Sequence, residues 1–249
     1  MKHNLINGSL SVAGGMLVYQ LAKKFCEFQR GNMLQYAPDQ RYLKNDPIIR
    51  HQKIAFLGSS ITYGFASHGD SFVDYLDQEY GVDTIKEAVS GTTLAGPSEH
   101  SYVNRMLKRI SPDNDLDLFV CQLSTNDQRQ DKPMGSVNAS FNLDSFDRNT
   151  TIGAIEFIIA YVTRTWHCPV VFYTCLRKPE PDYELLMRKL KQVQDKWEIK
   201  IIDVAHNDEI KRLNREHPEF MFDDAHPTRM GYRYAWTPYF VKCLDQILK

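Results

Sequence analysis

The sequence predicts an α/β fold, a parallel sheet with helices on both faces. Two observations carry that prediction. Five short apolar segments, several rich in β-branched or aromatic residues, recur along the chain at 53–57, 84–89, 116–123, 169–175 and 199–204. Helical patterns separate them near 70–80, 98–110, 150–166 and 182–197, and a last one over about 228–248 closes the chain. Strands alternating with helices make βαβ units, which generate a parallel sheet covered on both sides through right-handed crossovers. Ligands of such sheets sit beyond the carboxyl ends of the strands, so the residues just after each strand are the place to look for function.

Composition narrows the class further. A chain of 249 residues with 43% hydrophobic content buries a substantial core without covalent staples. A net charge of −1 argues against nucleic acid as a partner. The five cysteines, Cys26, Cys121, Cys168, Cys175 and Cys243, are odd in number and form no CxxC pair. That pattern predicts free thiols in a reducing, cytoplasmic compartment. Zinc-ligand spacings such as HExxH do not occur, and neither does a G-x-S-x-G elbow or a phosphate-binding G-x-x-x-x-G-K-[ST] loop. No metal or cofactor is expected.

The N-terminal segment stands apart. His3 to Ala22 contains no Asp, Glu, Lys or Arg. Ile6, Leu10, Ala13, Leu17, Leu21, Phe25 and Phe28 recur at steps of three or four, the stripe of an amphipathic helix. Residues 1–53 hold eight Lys/Arg against three Asp/Glu, a local excess of +5. The stripe is expected to pack on the main domain or on a second subunit. Attachment to a membrane surface, which would make the localisation membrane-associated, and self-association through residues 1–30 are the alternatives, and Ser11-xxx-Gly15 permits close helix contact in either. Residues 31–52 are polar and turn-rich, with Pro38 and Pro47, and read as a connection. The chain thus divides into an N-terminal helix with its connection, 1–50, and a main domain, 51–249.

Each strand end brings chemistry. Gly58-Ser59-Ser60 follows the first strand, Ser90-Gly91-Thr92-Thr93 the second, and Ser124-Thr125-Asn126-Asp127 the third. Near the C-terminus stands "FDDAHPTRMGY", with Asp223, Asp224 and His226. Gathered on one rim, these supply a hydroxyl, a glycine amide, a carboxamide, a carboxylate and an imidazole, the inventory of serine-dependent acyl transfer. A serine hydroxyl needs a base to take its proton, and imidazole titrates near neutrality. A carboxylate three residues away can fix the imidazole tautomer. Ser60 alone reads as a helix cap; with the other three segments it reads as a nucleophile, while Ser59 keeps a cap or turn role. The Asp-x-x-His spacing favours Asp223 over Asp224 as the partner of His226. The remaining histidines, His3, His51, His68, His100, His167, His206 and His217, are expected at the surface.

These segments resemble the SGNH hydrolases, the GDSL-type esterase/lipase superfamily, in four blocks and in the family's order across about residues 53–231. "GSSIT" is similar to the first block, with Ser60 at the nucleophile and Ser59 where the family usually has Asp. Gly91 in "AVSGTT" falls on the second-block glycine, without the Asn that often precedes it. Asn126 in "LSTND" falls on the third-block asparagine, with Ser124 in place of the block's glycine. Asp223, His226 and Pro227 fall on the Asp-x-x-His-Pro block. The resemblance implies a flavodoxin-like three-layer α/β/α sandwich with a five-stranded parallel sheet, and hydrolysis of esters without a metal. It implies Ser60, Asp223 and His226 as the catalytic residues, and Ser60, Gly91 and Asn126 as the oxyanion hole. The expected substrate is a small-molecule ester with a short acyl group, such as an O-acetylated carbohydrate. A lysophospholipid at a membrane surface, acyl transfer to a sugar hydroxyl and a non-catalytic carbohydrate-binding role are the other readings. The long segment between Asp127 and Thr150, with Met134, Phe141, Leu143 and Phe146, is expected to form a lid or a wall of the substrate pocket.

Overall fold

The structure, a computed structural model, describes residues 3–44, 48–178 and 180–249, with side chains from Met16 onward. The expectations for the side chains of His3, Ile6, Leu10, Ser11, Ala13 and Gly15, and for Pro47, lie outside the described residues.

Five strands form one parallel sheet: β1 (Lys53–Gly58), β2 (Asp83–Ala88), β3 (Leu118–Gln122), β4 (Val170–Tyr173) and β5 (Lys200–Ile202). Their order is β2-β1-β3-β4-β5, the flavodoxin-like arrangement. β1 lies between β2 and β3 and pairs with both, Phe56 standing opposite Lys86 on one side and Val120 on the other. The inner strands β1, β3 and β4 are apolar, apart from Lys53 at the start of β1 and Gln122 at the end of β3, because both of their faces are covered.

The helices are α1 (His3–Gly31), α2 (Ser60–Tyr63), α3 (Phe72–Tyr80), α4 (Tyr102–Arg109), α5 (Thr151–Thr165), α6 (Pro181–Trp197), α7 (Asp208–Glu216), α8 (Arg229–Gly231) and α9 (Thr237–Ile247). The crossover helices α4, α5 and α6 pack side by side, and α3 packs with α9. Strand order and right-handed crossovers put the first three on one face of the sheet and the last two on the other, completing three layers. Phe72 is the keystone of the second face, stacked on Phe240 at 3.9 Å and edge-on to Phe56 and Tyr173. The single closing helix expected over 228–248 is instead α8 and α9 joined by a π-helical turn, Tyr232–Trp236.

One expectation needs correction. The aromatic part of the 127–150 segment does not cover the rim. Phe141 and Phe146 pack against Trp197, their ring centroids 4.9 and 5.9 Å from it. Trp197 ends α6 just before β5 begins, so Phe141 is drawn away from the rim, while Phe146 also borders Gly96 and Pro97 of the loop after β2. Lys196 anchors the segment, bound to the carbonyls of Asn138 and Ser140 and paired with the buried Glu156 at 2.6 Å. Of the N-terminal stripe, the described side chains show little packing on the main domain. Residues 16–26 of α1 are exposed, and among the described residues the domain is met at the helix end, through Phe28, Arg30 and the following Asn32. Among the described residues, no helix is long and apolar enough to cross a membrane.

Candidate active site

β1 ends on Gly58 because nothing larger fits: a β-carbon there would overlap the Thr62 side chain and crowd the Gln122 carbonyl oxygen. The chain then turns directly into α2, with Ser59 at the cap position and Ser60 as the first helical residue. Ser59 does not cap with its side chain. Its N–H donates to Gln122 Oε1 at 2.9 Å, and its hydroxyl accepts from Gln122 Nε2 at 3.1 Å. Gln122 Oε1 also takes the Thr62 hydroxyl at 2.8 Å. One buried amide on β3 thereby fixes the corner that presents Ser60.

Ser60 Oγ lies 2.9 Å from His226 Nε2. His226 Nδ1 lies 2.8 and 2.9 Å from the two oxygens of Asp223. A carboxylate can only accept, so Nδ1 carries the proton and Nε2 is left free to accept from Ser60. The Asp223 turn closes on itself, with the N–H groups of Ala225 and His226 each donating to Asp223 Oδ1 at 2.8 Å. Half-burial pushes the Asp223 carboxyl up, but the hydrogen bonds from the His226 ring and from the Ala225 and His226 amides outweigh it, and its pKa falls to about 2. Asp224 faces elsewhere and accepts from the Lys178 N–H.

Asn126 approaches from the end of β3. Its Nδ2 donates to Thr92 O at 2.9 Å and lies 3.3 Å from Ser59 Oγ. The first bond anchors the carboxamide to the 90–95 loop; the second is long enough for its proton to turn to a better acceptor. Gly91 has φ +78°, the left-handed region where glycine is favoured, and a β-carbon there would meet only open space. Its constraint is therefore conformational and not one of room. Among the described residues, no acceptor engages the N–H of Ser60 or of Gly91.

Two buried charges hold these segments in place. Asp127 accepts from the Leu94 and Ala95 amides at 2.9 and 3.0 Å and from Thr151. Burial outweighs those bonds and raises its pKa. Arg105 on α4 donates to Gly58 O at 2.7 Å, to Thr92 Oγ1 at 3.1 Å and to Glu87 Oε1 at 3.0 Å, joining the ends of β1 and β2 to the Gly91 loop. Sequence reasoning missed Gln122, Asp127 and Arg105 as scaffolding. Asp127 alone carried a signal, as a carboxylate next to Asn126 at a strand end.

The sequence-predicted site residues Ser60, Gly91, Asn126, Asp223 and His226 all stand at the carboxyl ends of the strands or in the turn before α8. His51, His68, His100, His167 and His206 are exposed, and His217 is half-buried against Phe220. Among the described residues, no group of His, Cys, Asp and Glu side chains is arranged to hold a metal ion.

A profile of the GDSL-like lipase/acylhydrolase family matches residues 56–234, well over half of the chain. The chain belongs to this family. Membership bears out the resemblance read from the sequence and places the chain among ester-hydrolysing enzymes. Known structures share its fold. A protein from Lactobacillus plantarum is 17% identical with a TM-score of 0.62, over 80% of this chain and 98% of that one. A family two carbohydrate esterase from Clostridium thermocellum, in complex with cellohexaose, is 14% identical with a TM-score of 0.58, over 82% and 67%. An acetyl xylan esterase is 16% identical with a TM-score of 0.50, over 77% and 98%. No curated protein matches by sequence.

Proposed function

We propose that this family member is a serine esterase working through an acyl-enzyme, with Ser60 as nucleophile. The observation that carries the reading is the unbroken Ser60–His226–Asp223 relay, with contacts of 2.9 and 2.8 Å. Ser60 Oγ attacks the ester carbonyl carbon while His226 Nε2 takes its proton. The carbonyl electron pair moves onto oxygen, where the N–H groups of Ser60 and Gly91 and the Asn126 amide receive it. Collapse of the intermediate breaks the bond to the alcohol, which leaves with the proton from His226. Water then loses a proton to His226 and attacks the acyl-enzyme. Collapse returns that proton to Ser60 and releases the acid. Asp223 keeps Nδ1 protonated and stabilises the imidazolium in both halves.

The substrate is a short acyl ester of a larger alcohol, such as an O-acetylated carbohydrate. Gly91 and Phe65, beside Ser60 and His226, are exposed, so the alcohol side of the ester can be bulky. Two proteins of the same fold are a carbohydrate esterase and an acetyl xylan esterase, which supports the choice. The test is hydrolysis of p-nitrophenyl esters of increasing acyl length beside acetylated sugars. Acetate is expected to be cleaved best. A steady rise in kcat/KM with chain length overturns the short-acyl assignment, and full activity in Ser60→Ala overturns the mechanism.

A further inference from the structure

We propose that α1 docks this protein on an anionic lipid surface and turns the mouth of the Ser60 site toward that surface. The orientation of the mouth rests on the reading of the site given above; the docking does not.

Between Met16 and Cys26 the helix presents an apolar face that none of the described residues covers. Leu17, Leu21 and Phe25 are 58, 61 and 63% exposed. At about 100° per residue they share one side of the helix with Phe28, and the sequence continues that spacing back through Ala13, Leu10 and Ile6. A face of this length left in water is unfavourable, so it calls for a cover.

Charge decides between covers. Lys24 is exposed and falls within the seam that Leu17, Leu21 and Phe28 would make with a second helix, at spacings of four, three and four. Two copies paired along this face would trap their Lys24 ammonium groups in an apolar seam. At a bilayer the same side chain reaches its ammonium out to the phosphates while its stem stays with the apolar face. Residues 1–31 hold Lys2, Lys23, Lys24 and Arg30 against Glu27 alone, a basic excess that favours an anionic lipid over a neutral one.

The foot of the helix is built into the site. Phe28 packs edge-on to the exposed Phe222 at 5.1 Å, and Phe222 adjoins Asp223. Asn32 donates to Ala66 O at 2.9 Å and accepts from the Arg229 N–H at 3.1 Å, tying the end of α1 to the loop after α2 and to the turn after His226. Arg229 completes the tie through Asp70 at 2.6 Å. The exposed Phe65 stands 5.2 Å from the His226 ring. Phe65, Phe222 and the α1 face thus follow one another from the mouth of the site outward, on a rigid base. A lipid surface that receives the α1 face also meets the mouth.

The experiment is co-flotation of the full chain with vesicles of phosphatidylcholine, with and without phosphatidylglycerol. The wild type is expected to float with the anionic vesicles and much less with the neutral ones. Leu17→Asp/Leu21→Asp/Phe25→Asp is expected to lower partitioning by about 100-fold or more. Lys24→Glu is expected to lower it by about fivefold, an effect erased by high salt. Both variants should cleave soluble p-nitrophenyl acetate like the wild type, so a failure of the esterase reading is seen separately. A tryptophan at position 65, Phe65→Trp, is expected to be quenched by brominated lipid in the anionic vesicles. A wild type that does not float, or a triple variant that floats equally, overturns the docking. So does a dimer in light scattering that dissociates in the triple variant while vesicles bind neither protein. A position-65 tryptophan that floats unquenched overturns the orientation.

Discussion

The chain contains the same tetrapeptide pattern twice. Asp203-Val-Ala-His206 and Asp223-Asp-Ala-His226 share their spacing, and in both the histidine Nδ1 lies 2.8 Å from a carboxylate oxygen. They differ in what the other ring nitrogen meets. His226 Nε2 faces the Ser60 hydroxyl at 2.9 Å, whereas His206 Nε2 lies 3.9 Å from the Glu184 carboxylate. The nearest hydroxyl to the first pair, Thr174, donates to Asp203 and not to the imidazole. Burial differs too, with the His206 side chain 55% exposed and that of His226 19%. The His206 pair even borders a groove of about 390 Å3, lined in part by Thr174, Glu184 and Met187. An Asp–His pair and a cavity do not make a hydrolytic site. On the proposed mechanism, a hydroxyl held by its own strand end and N–H donors placed for an oxyanion make the difference.

Substitutions can break that contrast, the largest effect first. Ser60→Ala should lower kcat for p-nitrophenyl acetate by about 10⁴-fold or more while far-UV circular dichroism and Tm stay near those of the wild type. His226→Ala should cost a similar factor. Asn126→Ala should cost about 10²–10³-fold in kcat, the typical loss of one oxyanion donor, with KM little changed. Ser59→Ala should keep the chemistry but leave Gln122 Nε2 without its acceptor. A stability loss of about 1–2 kcal/mol in urea unfolding is expected, with kcat within a few-fold. His206→Ala, the counterpart of the second substitution, should change kcat/KM less than about twofold, as befits an exposed side chain.

Acidity sharpens the same contrast. The folded Asp223 carboxyl titrates near 2, below the 3.8 of a free side chain. Its contribution to stability is present above the unfolded value and is lost as the pH falls from about 4 to about 2. In Asp223→Asn that part of the acid sensitivity should vanish from the pH dependence of unfolding. The wild-type carboxylate stays ionised throughout the working range, so the acid limb of kcat/KM reports another group.

Much of this was legible in the sequence, because strands and strand-end residues are local signals. All five strands were located to within a few residues, since each is an apolar segment bounded by turn residues. The resemblance to the family's blocks pointed to Ser60 over Ser59, and it is Ser60 whose hydroxyl meets His226. What escaped were pairings across long separations. Ser59 and Gln122 are brought together by strand pairing 63 residues apart, and no local pattern marks a buried amide. Arg105 sits in a helix rich in charge, and only the fold shows that its guanidinium is buried under Gly58 and Thr92. α7 was missed because only two of its nine residues, Ile210 and Leu213, are apolar, too few to stand out as a helical stripe. The 127–150 segment was misjudged because its aromatic residues looked like a lid, while their partners, Lys196 and Trp197, lie far along the chain.

The most direct test of the account is covalent labelling with a fluorophosphonate, read by mass spectrometry of the peptides. A phosphonate adduct forms only on a hydroxyl that has both an adjacent base and oxyanion donors. The account predicts one adduct, on Ser60, absent in Ser60→Ala, strongly slowed in His226→Ala and unchanged in His206→Ala. A folded protein that stays unlabelled, or an adduct on Ser59 or Thr174, would contradict it.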